Sequence, residues 1–358
     1  MRLADLLRRY RAQLGAEYGP RLLPEQRRAA DCIERCRTER CGQTLVYCPR
    51  CGLEHALNHS CNHRSCPTCQ NHSATRWLGR QRAKLLPVRY YLLTFTVPAP
   101  LRPAIYRNQR LLYEALFSAA TETIREVASN PRFLGAEPGM TTVLHTHSRS
   151  LGFHPHLHVI MPGGGIDRRT RTWKQGTRKY LFPSAVLKRL FRENFLALCR
   201  QAGISYPQQL HRIDWVVNIK AAGRGERALE YLSKYLYRGV IQERNILGDD
   251  NGRITFEYED SRTGLRQTRA LSAPSFLFRV LKHTLPKRFR RARDHGFLHG
   301  NCKRTLRLLQ LIFRRPLATL VLKPPAIQCP HCKARFPLSL AFYERLPSSF
   351  LYPIRGSP

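Results

Sequence analysis

A segment in the middle of the sequence, from Phe153 to Met161, alternates histidine with apolar residues and constrains the fold more than any other stretch. Alternation with a period of two is typical of a β-strand. Successive side chains of a strand point to opposite faces, so His154, His156 and His158 are predicted to project from one face. Three neighbouring imidazoles repel one another when protonated, and neutral imidazole is a common metal ligand. The segment therefore predicts a strand that carries a metal site.

The net charge of the chain indicates a polyanionic partner. Lys and Arg number 61 against 24 Asp and Glu, which gives a formal net charge of +37 over 358 residues. Nucleic acid is the first candidate, because phosphate contacts by Lys and Arg release counterions. An anionic membrane is the alternative, but no amphipathic anchor, lipidation signal or apolar run of membrane-spanning length supports it. Without a signal-peptide core either, we expect a cytoplasmic, nucleoid-associated protein of a bacterium.

Closely spaced cysteine pairs predict zinc binding near the N-terminus. Cys48 and Cys51 form one pair, and Cys66 and Cys69 form the next. In a chain without a secretion signal, such pairs are typical of metal ligands and not of disulfides. Two pairs at this separation can close one tetrahedral site of four thiolates, and such a closed site is structural because it leaves no position for a substrate.

Other cysteines and histidines offer further zinc ligands. We assign a possible second site to three residues near the first pairs: Cys36, Cys61 and His63. Half of another site lies near the end of the sequence at Cys329 and Cys332, and two residues are available to complete it: His299 and Cys302.

Apolar periodicity predicts a mixed α/β core over residues 87–260 in which strands outnumber helical crossovers. Strands are expected at 88–97, 141–147, 153–161, 215–219 and 253–258, and helices at 1–33, 70–86, 101–128, 184–201, 226–238 and 274–283. The runs on either side of residues 148–152 are close enough to pair in antiparallel fashion. That pairing would bring His145 or His147 beside His156 and His158.

The predicted helix at 226–238 carries two tyrosines that are suited to chemistry. Tyr231 and Tyr235 are four residues apart, so they lie on one face, together with Arg238. A purely structural interpretation, with the tyrosines packing at the edge of an amphipathic helix, is the alternative. A phenol with an ordinary pKa of about 10 is a poor nucleophile near neutral pH and needs a cation to polarise its target. A metal on the histidine strand would supply that cation. The product would be a phosphotyrosine, which keeps the bond energy of the phosphodiester for a later rejoining step.

A basic run near residue 290 is a second candidate for nucleic-acid contact. It mixes cations with Phe289, a pattern suited to tracking a phosphate backbone and stacking a base; a solvated charged face is the alternative. The cations that we assign to DNA binding are Lys287, Arg288, Arg290 and Arg291, together with Lys234 and Arg238 of the tyrosine helix.

Several motifs together resemble the rolling-circle insertion-sequence transposases with an HUH (His-hydrophobic-His) nuclease domain. The resemblance covers nearly the whole chain. It is carried by the segments Ser60–Gln70, Leu92–Thr96, Leu144–Thr146, His154–His158 and Tyr231–Tyr235.

The resemblance implies an α+β fold, an HUH core with an antiparallel-rich sheet flanked by helices. It implies His156 and His158 as ligands of Mg²⁺ or Mn²⁺, with a third ligand among His145, His147 and His154. It also implies Tyr235 and Tyr231 as the nucleophiles that cleave single-stranded DNA, and recognition of single-stranded and hairpin DNA at the ends of the element. The expected regions are a helical arm and structural zinc domain (1–86), the nuclease (87–260) and a basic DNA-binding region (261–358).

Two other functions remain open at this point. A plasmid replication initiator or relaxase would use the same chemistry at a different DNA site. A zinc-containing DNA-binding protein without catalysis would account for the charge and the cysteines, but not for the three histidines on one face.

Overall fold

The computed structural model describes residues 1–69, 71–176, 181–237, 239–260, 263–315, 326–337 and 343–345. Its α-helices are α1 (Leu3–Tyr18), α2 (Pro24–Glu34), α3 (Asn71–Arg82), α4 (Arg102–Arg107), α5 (Gln109–Ser129), α6 (Ser184–Gln201), α7 (Glu226–Tyr237), α8 (Ala273–Leu281) and α9 (Lys303–Ile312). Its strands are β1 (Gln43–Tyr47), β2 (Glu54–Asn58), β3 (Tyr90–Thr96), β4 (Glu137–Pro138), β5 (Met140–His147), β6 (Phe153–Pro162), β7 (Gly164–Ile166), β8 (Trp173–Gln175), β9 (Val216–Ala221), β10 (Ile246–Asp250), β11 (Arg253–Glu259), β12 (Arg266–Ser272), β13 (Ala292–His295), β14 (Ala326–Gln328), β15 (Arg335–Pro337) and β16 (Tyr343–Arg345). The mixed α/β class with antiparallel sheets is confirmed.

A five-stranded antiparallel sheet forms the centre of the molecule, in the order β13-β5-β6-β3-β9. The histidine segment is its middle strand, β6, as the alternation predicted. Leu157, Val159 and Met161 of β6 belong to one hydrophobic core, whereas Ile160 belongs to another. The period of two thus divides the strand between two faces, and the histidines at 156 and 158 share the face of Ile160.

One face of the central sheet packs against α5 and α6. Phe95 of β3 meets Phe191 of α6 edge to face, with 5.0 Å between the ring centroids, and both rings are fully buried. Full burial of such a side chain contributes about 1.5–3 kcal/mol. The helix predicted at 184–201 is α6, and the one predicted at 101–128 is interrupted at Asn108 between α4 and α5.

The other face of the sheet packs against α7 and α3. Leu229, Leu232 and Leu236 form the buried stripe of α7, as predicted from their helical spacing, and meet Val143 and Ile160 of the sheet. This contact fixes α7 directly over the face that carries the histidines.

Helix α1, in the expected N-terminal arm, packs against a distant part of the chain. Leu3 and Leu7 of α1 are buried in the same core as Phe256 of β11 and Phe276 of α8. The hydroxyl of Tyr10 donates a hydrogen bond to the carboxylate of Asp249, at 2.8 Å. An amphipathic helix must bury its apolar stripe, and here it does so against a distant part of the chain.

The region boundary expected at 260/261 separates β11 from β12, two strands that pair in antiparallel fashion. The basic run also contributes to the core of the molecule. Its β13 pairs with β5 in the central sheet, and Phe289 is buried against Tyr113 and Phe117. The prediction that Phe289 stacks on a DNA base is therefore wrong, since its ring has no exposed face.

No helix in the described ranges combines the length and the apolar character that crossing a membrane requires.

Candidate functional site

Three histidines from two neighbouring strands form a compact group on the α7 face of the central sheet. Strands β5 and β6 pair in antiparallel fashion, as predicted, and His145 lies directly opposite His156. Ligand nitrogens of His145, His156 and His158 all lie within 4.8 Å of one another. Of the three candidates for the third position, His145 is the one that the structure places in the group.

Local hydrogen bonds orient two of these rings. The Nδ1 atom of His156 lies 2.7 Å from the carbonyl oxygen of His154, so it donates, and Nε2 keeps its lone pair. The Nδ1 atom of His158 lies 3.0 Å from Oγ1 of Thr94 on β3. Its Nε2 atom is buried and has no hydrogen-bond partner among the described residues. A buried nitrogen acceptor without a donor is the feature that a metal ion would complete.

Burial keeps the group neutral. It lowers the pKa of His158 to about 3, with the charge of His156 as a further cause, and it lowers the pKa of His156 to about 4. Burial also holds the pKa of His145 well below its usual range. Neutral imidazoles at pH 7 are the form that binds metal, so the three residues fit a divalent ion.

The two other candidate histidines have different neighbours. His154 accepts a hydrogen bond at Nδ1 from Arg102 at 2.7 Å and is not part of the group. The ring of His147 is parallel to that of His145 at 6.4 Å and meets His283 at 5.4 Å. His283 is only 2% exposed. The sequence did not predict its position beside the histidines, because no motif in the flanking residues points to it.

Helix α7 brings Tyr231 to the histidines. The ring centroids of Tyr231 and His158 are 5.9 Å apart, and the ring planes are at 89°. Tyr235 follows one helical turn later in α7, but its side chain lies outside the described part of the structure, as does Arg238 altogether. Lys234 of the same helix is exposed.

A polar groove of about 410 Å³ runs beside the site, from His147 to the hairpin of β11 and β12. Its cations come from four separate segments of the chain: Arg149, Lys234, Arg244 and Arg266. Of these four cations the sequence predicted only Lys234 as a DNA contact, because the other three reach the groove only through the fold. Arg149 pairs with Glu259 and Arg266 pairs with Glu257, whereas Lys234 and Arg244 form no ion pair within the described ranges.

The basic run divides into exposed and structural cations. Lys287, Arg288 and Arg290 are exposed. Arg291 is half-buried and donates a hydrogen bond of 3.0 Å to the carbonyl oxygen of Leu236, so it ties the run to the end of α7.

The cysteines form two groups of four, and the predicted grouping of Cys48 and Cys51 with Cys66 and Cys69 is wrong. The sulfur atoms within each group lie within 4.8 Å of one another. One group contains Cys36, Cys61, Cys66 and Cys69, and the other contains Cys48, Cys51, Cys329 and Cys332. Sequence spacing failed here because other thiols join each pair. Cys36, which follows the end of α2, and Cys61 join Cys66 and Cys69, whereas the segment around residue 330 supplies the partners of Cys48 and Cys51.

The remaining candidate zinc ligands lie outside both groups. Cys36 and Cys61 lie in one group, together with Cys66 and Cys69. His63 is not part of that group, and its Nδ1 accepts from the backbone nitrogen of Ser65 at 3.2 Å. His299 does not complete the site of Cys329 and Cys332; its Nδ1 accepts from the backbone nitrogen of Asn301 at 3.3 Å. Cys302 is also outside the two groups.

Comparison with known proteins identifies both parts of the chain. A family model described as a transposase zinc-binding domain matches residues 5–97, and one described as a putative transposase matches residues 139–305. A Sinorhizobium fredii protein named putative transposase y4qJ is 36% identical over 330 residues, which cover 86% of this chain and 82% of that protein. The transposase for insertion sequence element IS801 of Pseudomonas savastanoi pv. phaseolicola is 30% identical over 295 residues, 72% of this chain and 68% of that protein.

These matches agree with the cysteine groups, which supply the thiolates that structural zinc prefers. They also account for the large positive charge, since a transposase acts on DNA. The chain therefore belongs to the family of insertion-sequence transposases that includes the IS801 transposase, and it carries an N-terminal zinc-binding domain.

Proposed function

We propose that this transposase cleaves and rejoins single-stranded DNA at the ends of a mobile element through a 5′-phosphotyrosine intermediate, as an HUH nuclease does. The observation that carries the proposal is the position of Tyr231 beside His158, 5.9 Å between ring centroids, next to three neutral histidines. A tyrosine beside a group of metal-binding side chains is the arrangement that a metal-assisted nucleophilic attack on a phosphodiester requires.

The metal in this proposal is Mg²⁺ or Mn²⁺, held by His156, His158 and His145. When bound, it would polarise the scissile phosphate and stabilise charge on the leaving oxygen. Thr94 and the carbonyl group of His154 would keep the rings of His158 and His156 in place, because each contacts an Nδ1 atom and leaves Nε2 for the ion.

The tyrosines perform the covalent step. The hydroxyl oxygen of Tyr231 or Tyr235 forms a bond to phosphorus, and the bond between phosphorus and the 3′ oxygen breaks. The phenol loses its proton to water and the 3′ oxygen takes one up, so no net proton is gained or lost. The products are a 5′-phosphotyrosine and a free 3′ hydroxyl. Attack of a 3′ hydroxyl on the phosphotyrosine reverses the step and joins a new strand, so two tyrosines would allow two successive transfers in a rolling-circle pathway.

The charge of the groove supports a path for the single strand. Lys234 and Arg244 face the groove beside the tyrosine helix, and neither is engaged by a carboxylate in the part of the chain that the structure describes. Cations on the flank of the site would contact phosphates next to the scissile one, without reading the bases.

A covalent-adduct assay tests the chemistry. Purified protein and Mn²⁺ are incubated with single-stranded element ends labelled at the 3′ end, and labelled protein is scored on a denaturing gel. A 5′-phosphotyrosine transfers the 3′ label to the protein, whereas the same DNA labelled at the 5′ end yields a shortened free fragment. Labelled protein from 5′-labelled DNA would contradict the proposed polarity.

Matched tyrosine variants identify the nucleophile. We expect Tyr231→Phe and Tyr235→Phe together to abolish the adduct, and each single variant to reveal which residue acts at which strand. Tyr206→Phe is the control, because Tyr206 packs beside His211 against the core on the other face of the sheet. Adducts that persist in the double variant would refute the assignment.

The same assay separates the alternatives. Cleavage at one plasmid origin and not at element ends would indicate a replication initiator or relaxase. Salt-sensitive DNA binding with the DNA left intact in Mg²⁺ and Mn²⁺ would indicate a protein without catalysis, for which the histidine group has no use.

A further inference from the structure

We infer that Cys48, Cys51, Cys329 and Cys332 bind a second zinc ion, which fastens the segment at 326–337 to the β1–β2 hairpin of the N-terminal zinc-binding domain. The family match for that domain ends at residue 97, so two of the four ligands lie far outside it. The inference does not depend on the proposed chemistry at Tyr231.

The sulfur spacing agrees with a tetrahedral zinc site. Four sulfurs that are each about 2.3 Å from a zinc ion lie about 3.8 Å from one another in a regular tetrahedron. The sulfur atoms of Cys48 and Cys332 are 3.7 Å apart, and those of Cys51 and Cys329 are 3.8 Å apart. A disulfide would require about 2.05 Å, so these distances correspond to thiolates around a common centre.

The two cysteine pairs have the same backbone conformation, although they are distant in sequence. In the first, the backbone nitrogen of Cys48 donates to the carbonyl oxygen of Leu53 at 3.0 Å. In the second, the backbone nitrogen of Cys329 donates to the carbonyl oxygen of Ala334 at 2.9 Å, again five residues later.

The residue that follows each cysteine pair also has the same backbone conformation in both. Gly52 follows Cys51 with a φ of 71°, and Lys333 follows Cys332 with a φ of 58°. Each also donates its backbone N–H four residues back, to the carbonyl oxygen of the first cysteine of its pair, at 2.9 Å and 3.1 Å respectively. A left-handed conformation costs a lysine about 1 kcal/mol or more, so the second pair keeps the turn of the first although its residue type does not favour it.

The surroundings of the site suit a structural ion. Cys48 and Cys329 are almost completely buried, and with Val46 and Leu57 they form a small apolar cluster. The Nε2 atom of His55 lies 3.2 Å from the sulfur of Cys329 but is not part of the four-sulfur group. We assign it as a hydrogen-bond partner of the thiolate, of the kind that surrounds most protein metal sites.

Strand pairing also connects the end of the described chain to the β1–β2 hairpin. Strand β16 adds to the edge of β1 in antiparallel fashion, with Thr44 opposite Arg345. The part of the chain that carries Cys329 and Cys332 therefore meets the N-terminal hairpin at two places: at the four-sulfur group and, further along the chain, at the pairing of β16 with β1.

Zinc content of the purified full-length protein tests the stoichiometry. We expect two zinc ions per chain in the wild type, and one in Cys329→Ser/Cys332→Ser and in Cys48→Ser/Cys51→Ser. Cys302→Ser and His55→Ala are matched controls that should keep two, because neither residue is a ligand. One zinc ion in the wild type would overturn the proposal, and loss of an ion in His55→Ala would overturn the four-thiolate assignment.

Alkylation of cysteines tests the link between the two segments. We expect iodoacetamide to label Cys329 and Cys332 in the Cys48→Ser/Cys51→Ser variant, as detected by mass spectrometry, but not in the wild type or in Cys302→Ser. Continued protection in the variant would overturn the proposal. Labelling of Cys36 and Cys66 in the same sample reports on the first zinc site, so a variant that has merely unfolded is recognised by loss of protection there.

Discussion

The ring of Tyr231 stands perpendicular to the imidazole of His158, 5.9 Å away. This relationship follows from two separate packing patterns. The period of two in β6 places His158 on the same face as Ile160, and the leucine stripe of α7 packs against Ile160. A residue on the flank of that stripe therefore lies over the histidines, and Tyr231 occupies that position.

The first prediction concerns the third metal ligand. We expect His145→Ala to weaken Mn²⁺ binding by more than about 100-fold, since even the loss of an outer partner of a ligand costs about 10-fold to 100-fold. His154→Ala should weaken it by less than about 10-fold, because its backbone carbonyl still orients His156. Electron paramagnetic resonance of free Mn²⁺ measures both affinities. A larger loss in His154→Ala than in His145→Ala would reverse the assignment.

Much of this site could be predicted from local sequence patterns. The histidine strand, its antiparallel neighbour and the leucine stripe of α7 each depend on residues only two to four positions apart, and the observed elements agree with them. The choice between His145 and His147 could not be made in this way. It depends on the register that puts His145 opposite His156.

Contacts between distant segments were the part that sequence could not supply. Cys48 and Cys66 belong to similar pairs, yet they lie in different groups, because Cys329 and Cys36 approach them from other parts of the chain. Phe289 lies in a run of cations that looks exposed, but its ring is buried against Tyr113 and Phe117 of α5. In each case a long-range packing interaction overrides what the local composition indicates.

The second prediction concerns the orientation of His158. Thr94→Val removes the hydroxyl that lies 3.0 Å from Nδ1 of His158 but keeps the shape of the side chain. We expect Mn²⁺ binding to weaken by about 10-fold to 100-fold, because the ring loses the partner that fixes its rotation. Isothermal titration calorimetry or the resonance assay would measure the change.

Thr146→Val is the control for that substitution. Thr146 is in β5, next to His145 in sequence, and its buried hydroxyl has no hydrogen-bond partner among the residues described. Replacing it should leave metal affinity unchanged, and unfolding in urea should require slightly more free energy because an unsatisfied buried hydroxyl is removed. Equal losses of affinity in both variants would mean that Thr94 acts only through packing.

The third prediction concerns the groove. Lys234 and Arg244 are its cations without a carboxylate partner in the described ranges, so each should contact DNA phosphate. We expect Lys234→Ala to lower the affinity for single-stranded DNA similarly for different sequences, and to reduce the slope of log K against log salt by about 0.7 per lost contact. Fluorescence anisotropy at several salt concentrations measures this slope.

Lys188→Ala is the matched control for the groove. Its amine pairs with Asp214 at 2.8 Å, away from the groove, so the salt dependence of DNA binding should not change. The same reduction of the slope in Lys188→Ala and Lys234→Ala would mean that the measurement reports overall charge and not a local path for the strand.

The last prediction concerns the turn that follows β13 of the central sheet. The chain leaves β13 through Gly296, whose φ is 60° and where an added Cβ would lie 2.0 Å from the carbonyl oxygen of Pro138. Gly296→Ala must therefore displace backbone as well as strain it, and we expect the free energy of unfolding to fall by about 3 kcal/mol or more. Gly264→Ala is the comparison, because Gly264 has a φ of 73° but no atom of the described residues lies within 4 Å of the added carbon. It should lose only about 1–2 kcal/mol, the cost of the left-handed conformation alone. Urea unfolding of both variants gives the difference, and equal losses would mean that the turn after β13 relaxes without cost.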